Sequence, residues 1–184
     1  VGWECVDLGG VVQKKYGIVD GPFGSNLKTE HYRPAGIPVI QSGYVTRGKF
    51  LVTKNILYVD ESKYQEQIRS STSPQDIVMA KIGANAGSCA IMPESHPVGI
   101  LAGNSLKITV NDEITINTFI ITILHYYAFI GELDRIKTET AQPAISISSL
   151  RKLKIPFPPR QEQQKIAKIL SSIDTNIEQK QTKL

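Results

Sequence analysis

The chain has 184 residues, 41% hydrophobic and 21% charged, with a formal net charge of +4. That composition excludes intrinsic disorder, and the length holds one ordinary domain with a short appendage rather than the several domains of a multifunctional enzyme. A pI near 9.0 suits a polyanionic partner without requiring one.

Up to about residue 112, short apolar runs alternate with turn residues, the pattern of an irregular, strand-rich domain. Gly10-Val11-Val12, Gly36 to Ile40, Asn55 to Val59 and Asp76 to Ile82 read as strands. Gly83-Ala84-Asn85-Ala86-Gly87 supplies turn-prone residues that would fold the last of these runs into a hairpin with Ser88 to Met92, leaving a polar, accessible tip. Asp60 to Ile68 reads as a short surface helix, with Ser62 and Gln65 spaced as a capping box.

The longest apolar stretch, Ile114 to Gly131, is broken by Thr115, Asn117, Thr118, Thr122 and His125. It therefore reads as a buried helix packed on the sheet, capped by Asn117 and stopped at Gly131, and not as a membrane span. A polar stretch from Thr138 to Pro143 precedes a second helix start at Ser148 or Ser149, and Lys154 to Phe157 reads as extended. After Pro158-Pro159 the composition turns to Gln, Glu, Lys and Ile, and Ile166, Leu170, Ile173, Ile177 and Leu184 fall at steps of 4, 3, 4 and 7 residues. A helix of roughly 24 residues would be a rod of about 36 Å. The residues leave two readings of it, docking on its own domain or an intermolecular coiled coil, and the narrow seam with polar flanks favours the second.

Catalytic signatures are missing. There is no phosphate-binding loop, Gly83 to Gly87 lacks the setting of a dinucleotide fingerprint, and His31, His96 and His125 lie far apart in sequence without zinc-ligand spacing, so no metal or nucleotide site is assigned. Glu61-Ser62-Lys63 and Glu178-Gln179-Lys180 sit in polar helix faces, where the bland reading as solvated charge outweighs a nuclease half-site. Phe157-Pro158-Pro159 lacks the Asn or Asp of a base aminomethyltransferase. The two cysteines, Cys5 and Cys89, have no C-x-x-C spacing and no secretory leader precedes them, which points to a reduced, cytoplasmic protein.

Gly21-Pro22-Phe23-Gly24-Ser25-Asn26-Leu27-Lys28, followed by Tyr32 and Gly36-Ile37-Pro38-Val39-Ile40, resembles the opening of a target recognition domain from the specificity subunit of type I restriction-modification enzymes. Ser73 to Gly83 resembles the central strand of that family, with Gln75 in place of its usual glycine. Thr140-Ala141-Gln142-Pro143-Ala144-Ile145-Ser146, Ile155-Pro156-Phe157-Pro158-Pro159 and Glu162 to Ala167 are similar to its junction with a conserved helix. These segments run in the family's order over nearly the whole chain.

The resemblance implies an α+β fold, with a recognition domain over residues 1–158 and a spacer or dimerisation helix over 159–184. It implies a non-catalytic subunit that reads double-stranded DNA and holds methyltransferase (M) and restriction (R) subunits. S-adenosylmethionine, ATP and Mg would belong to those partners, with no cofactor bound by this chain. Family members carry two such domains and two helices, whereas one of each is present here, so a homodimer through antiparallel helices, or one half of a longer subunit, is expected. The DNA-contacting set expected from the family's loops is Ser25, Asn26, Lys28, Arg33, Gln41, Ser42, Tyr44, Arg47, Lys49, Lys81 and Asn85. Arg33 and Arg47 suit guanine because a guanidinium bonds two acceptors at once, while Lys28, Lys49 and Lys81 suit phosphates. Gly21, Pro22 and Gly24 are expected to shape their loop. The competing reading is an interaction or orphan regulatory subunit that binds no DNA and recruits partners through the helix.

Overall fold

The computed structural model describes residues 2–46, 48–52 and 54–181, with side chains through residue 173. In chain order the strands and helices are β1 (Glu4–Asp7), β2 (Ile18–Asp20), β3 (Ile37–Ile40), β4 (Val45–Thr46), β5 (Lys49–Phe50), β6 (Tyr58–Val59), α1 (Glu61–Glu66), β7 (Ser71–Thr72), β8 (Ile77–Ala80), β9 (Cys89–Ile91), β10 (Gly99–Leu101), β11 (Ser105–Ile108), α2 (Asn117–Phe129), α3 (Ile147–Arg151), β12 (Lys154–Phe157) and α4 (Arg160–Gln181). Largely antiparallel sheets with few helices give the α+β architecture expected.

The central sheet has the order β2-β11-β8-β9, and a second runs β6-β3-β10-β7. The expected hairpin is present: β8 pairs antiparallel with β9, Ile77 opposite Ile91, and Gly83 and Gly87 take the left-handed φ values of 96° and 99° that its loop needs. Asn85 is exposed at the tip, while Ala86 and Gly87 are buried. An unbroken apolar run forms β8 because both of its faces are covered. Ile77 and Met79 enter a core with α2, α3 and Leu8, whereas Val78 and Ala80 enter another with Ile40, Tyr44, Val45 and Leu101. Strand side chains alternate, so one four-residue segment ties two cores together, each buried aliphatic contributing about 1.5–3 kcal/mol.

Several local expectations are corrected. Val11-Val12 forms no strand: Leu8–Gly10 is a 3-10 turn and Val12 makes only an isolated bridge to Val110. The α1 cap is Asp60, whose Oδ1 accepts from the Lys63 amide at 2.9 Å, and Ser62 lies inside the helix. Likewise α3 is capped by Ser146, ahead of the two serines expected. Asn117 is the first residue of α2 and does not cap it; its side-chain amide instead donates to Gln75 Oε1 at 2.7 Å. The α2 helix is buried along one side but exposes Tyr126, Phe129 and Ile130 at its end.

β1 pairs with β12, so Trp3 reaches the base of α4 and its indole N–H donates to Glu162 at 2.9 Å. Gln163 is fully buried there, accepting from Thr115 at 2.8 Å and donating to the Pro158 carbonyl at 3.0 Å. Ala167 is buried and Ile166 packs on the main core. The helical seam is therefore divided. Ile166 faces its own domain, contrary to its expected place in an intermolecular interface, whereas Ile169, Leu170 and Ile173 stand exposed. The Ile177 side chain and Leu184 lie outside the described residues. Among the described residues no helix is long and apolar enough to cross a membrane.

Candidate nucleic-acid interface

The loop after β2 leaves the central sheet and immediately packs on the turn between β10 and β11. Gly21 lies flat against Ala102, and a Cβ there would collide with the Ala102 carbonyl. Pro22 and Phe23 then meet Gly103, whose own Cβ would come within 2.9 Å of the Pro22 carbonyl oxygen. Ser25 and Asn26 follow in the exposed 3-10 turn Gly24–Asn26, with Gly24 at φ 58°. A polar turn is thus mounted on a backbone seat that tolerates no side chain, which supports a shaping role for Gly21.

Charge is organised around Asp20. Its Oδ2 accepts from Lys81 Nζ at 2.6 Å and its Oδ1 from the Arg69 guanidinium at 3.2 Å. The same Lys81 ammonium lies 4.2 Å from the centroid of the Phe23 ring. Nearby, the Ser42 amide donates to Asn104 Oδ1 at 3.3 Å, and the Lys81 amide donates to the Asn104 carbonyl at 2.8 Å. The turn after β3, the end of β8 and the loop after β2 therefore meet at one place, bringing together Ser42, Lys81 and the approach to Ser25 and Asn26. Asp20, Phe23, Arg69 and Asn104 were missed by sequence reasoning; the Gly103-Asn104 pair, a turn signal between two apolar runs, could have found the last.

The other expected residues fall elsewhere. Lys28 is exposed and 3.9 Å from Glu30. Arg33 pairs with Asp60 at 2.9 Å and donates to the Glu30 and Tyr32 carbonyls, so part of its guanidinium is already engaged within the domain. The Lys63 amide, and then Arg33, hold the Asp60 carboxyl below its ordinary range. Gln41 is half-buried and Lys49 exposed, the latter on the β4–β5 ribbon that packs on β9. Tyr44 corrects the expected set. It is fully buried, edge-on to Phe50 and His96, and so is a core residue that cannot reach DNA in this fold. Arg47 lies outside the described residues.

At the opposite end of β8, Asp76 is buried and accepts from Thr72, the Ser73 amide, Lys107 and Thr109. Gln75 before it has φ 72°, the left-handed region where glycine is favoured, which explains the glycine that the resembled family places there. Burial pushes the Cys89 thiol up to about 12, and His125 donates from Nε2 to the Cys89 carbonyl at 2.9 Å. Cys89 is thus a structural residue of β9, and His125 ties α2 to that strand.

The family model for the type I restriction modification DNA specificity domain matches residues 1–184. The chain belongs to this family. It is 30% identical over 146 residues to the "Putative type I restriction enzyme MjaX specificity subunit" of Methanocaldococcus jannaschii, a match that covers 77% of this chain and 34% of that protein. The HsdS subunit from Thermoanaerobacter tengcongensis superposes with a TM-score of 0.69 at 20% identity, covering 96% of this chain and 38% of that one. A type I restriction-modification S subunit from M. genitalium gives 0.64 at 18% identity, covering 97% and 41%. A chain from a study of complex assembly and conformational transition of the type I R-M system gives 0.71 at 20% identity, covering 96% and 39%. This specificity-family chain thus shares the fold of these proteins and spans between a third and about two fifths of their lengths.

Proposed function

We propose that this specificity-family chain reads one half of a bipartite target in double-stranded DNA and carries methyltransferase and restriction subunits to it. Recognition is its contribution; S-adenosylmethionine, ATP and Mg serve the partner subunits, in the cytoplasm where the DNA is. The observation that carries the reading is the Ser25–Asn26 turn, an exposed polar projection fixed to the core through Gly21 and Ala102. Sequence readout needs polar side chains presented to base edges from a rigid support, with cations on the flanks for phosphates. Ser42 and Asn85 extend that surface, Lys28 and Lys49 supply charge, and Arg47 and Arg33 remain the guanine readers proposed.

The exposed Ile169, Leu170 and Ile173 on α4 support pairing with a second helix, from another copy or from the other half of a longer subunit. An antiparallel pair of rods, each about 33 Å over the 22 residues of α4, would set two recognition domains roughly one DNA turn of 34–36 Å apart.

The test is selection of duplexes from a randomised library by the full chain, followed by affinity measurements on selected and scrambled sequences at two salt concentrations, with and without a methyltransferase subunit. Single base-pair changes in the selected site should cost about 1–3 kcal/mol each. Ser25→Ala, Asn26→Ala and Arg47→Ala should lose discrimination without lowering the melting temperature. Equal binding to all duplexes would reject the reading in favour of partner recruitment through the helix.

A further inference from the structure

Phe23 is 44% exposed. A ring that served only to cover Lys81 would gain by lying flat and buried, yet this one is held with a large part of its surface open. Beneath it the Lys81 ammonium sits 4.2 Å from the ring centroid. That ammonium is fixed by Asp20 at 2.6 Å, and the two side chains are only 14% and 15% exposed. From the side, Gly103 approaches so closely that a Cβ there would lie 3.2 Å from a ring carbon. The aromatic is therefore fixed by a partly buried ion pair and a glycine seat, and binding through it requires little further ordering. Next to it in sequence stand the exposed Ser25 and Asn26, and Arg69, 61% exposed, bonds the other oxygen of the Asp20 carboxylate at 3.2 Å.

We propose that Phe23 is a stacking wedge, which enters the target duplex beside the bases read by Ser25 and Asn26 and covers the face of a base at a partly opened step. The inference rests on the DNA-reading function proposed above. Side chains that wedge into DNA are apolar, and Phe23 is apolar, exposed and rigidly seated, with the exposed Arg69 on the same Asp20 carboxylate that holds the Lys81 beneath the ring. Lys81 and Asp20 are positioning residues. Lys81 acts by holding the ring and not by neutralising a phosphate.

The experiment uses the full chain and duplexes it selects from a randomised library, with 2-aminopurine placed at successive positions as a fluorescent report of unstacking. Wild-type binding should raise fluorescence at one step. Phe23→Ala should abolish that signal and weaken specific binding roughly 5- to 150-fold, the range found for loss of one base–aromatic contact. Phe23→Tyr should retain both, and Phe23→Leu, which keeps an apolar cover over Lys81 but has no π-face, should melt like the parent and bind the selected duplex more weakly. Lys81→Met should diminish the signal and leave the salt slope of binding unchanged, whereas a lysine on a phosphate would lower it by about 0.9. Sequence-specific binding by the wild type with no fluorescence change, or with Phe23→Ala binding equally well, would overturn the wedge and leave DNA reading intact. No sequence-specific binding by the wild type would overturn the reading and the wedge with it.

Discussion

At one end of β8 the Asp76 carboxylate takes hydrogen bonds from Thr72, Ser73, Lys107 and Thr109, and both it and Lys107 are buried. At the other end Lys81 and Asp20 form a second acid–lysine pair, but its outward connections run to an exposed guanidinium and an exposed ring. The first pair is enclosed, with its bonding spent on neighbouring strands. The second opens to the surface beside the Ser25–Asn26 turn. The contrast teaches that the same charge pairing on one strand can fasten the core at one end and prepare a contact surface at the other; what differs is what lies beyond the carboxylate.

The largest effect should come from opening the closed end. Asp76→Ala leaves Lys107 buried without its counter-charge and should cost about 3–5 kcal/mol in a denaturant melt, with DNA discrimination of the folded fraction unchanged. A loss below 1 kcal/mol would break the contrast. Asp20→Asn should be the reverse: a smaller stability loss of about 1.5–3 kcal/mol, but weaker discrimination and a salt slope steeper by about 0.9 per cation freed to reach phosphates.

Gln75 sharpens the closed end. Gln75→Ala keeps the positive φ and forfeits the 2.7 Å bond to Asn117, so it should lose about 0.5–1.5 kcal/mol. Gln75→Gly removes the same bond but relieves the backbone, and should melt within about 1 kcal/mol of the parent. The smallest effect belongs to Asp60, an exposed acid outside both ends. Its folded pKa is lowered from 3.8, so its contribution to stability is complete above that value and fades as pH falls through the depressed one. Comparing acid melts of Asp60→Asn and the parent should show their difference shrinking below pH 4 and nowhere else.

What could be read from the amino-acid sequence depended on how local the cause was. The β8–β9 hairpin, α2 and the extended Lys154–Phe157 follow from apolar runs bounded by glycine and proline, and each formed where expected. Helix caps slipped by two or three residues because Asp60, Ser62, Ser146, Ser148 and Ser149 compete within short spans, and only backbone geometry selects among them. Asn117 had the right chemistry for a cap, but Gln75, 42 residues away, claims its side chain. The candidate site was legible as loops and less so as residues. Tyr44 is drawn inward by Phe50 and His96, and Arg33 is engaged by Asp60, both through partners that only the tertiary fold brings near. Asp20 gave no signal at all, since its partners Arg69 and Lys81 come from distant segments.

The indole of Trp3 bonds Glu162 in the first turn of α4, and it is the one tryptophan in the sequence. The chain therefore carries a built-in optical label where the rod meets the body. Its emission should respond to bending or release of the rod when a second helix engages Ile169, Leu170 and Ile173, and stay silent to events at the Ser25–Asn26 turn. Assembly and target reading could then be timed separately in one unlabelled sample.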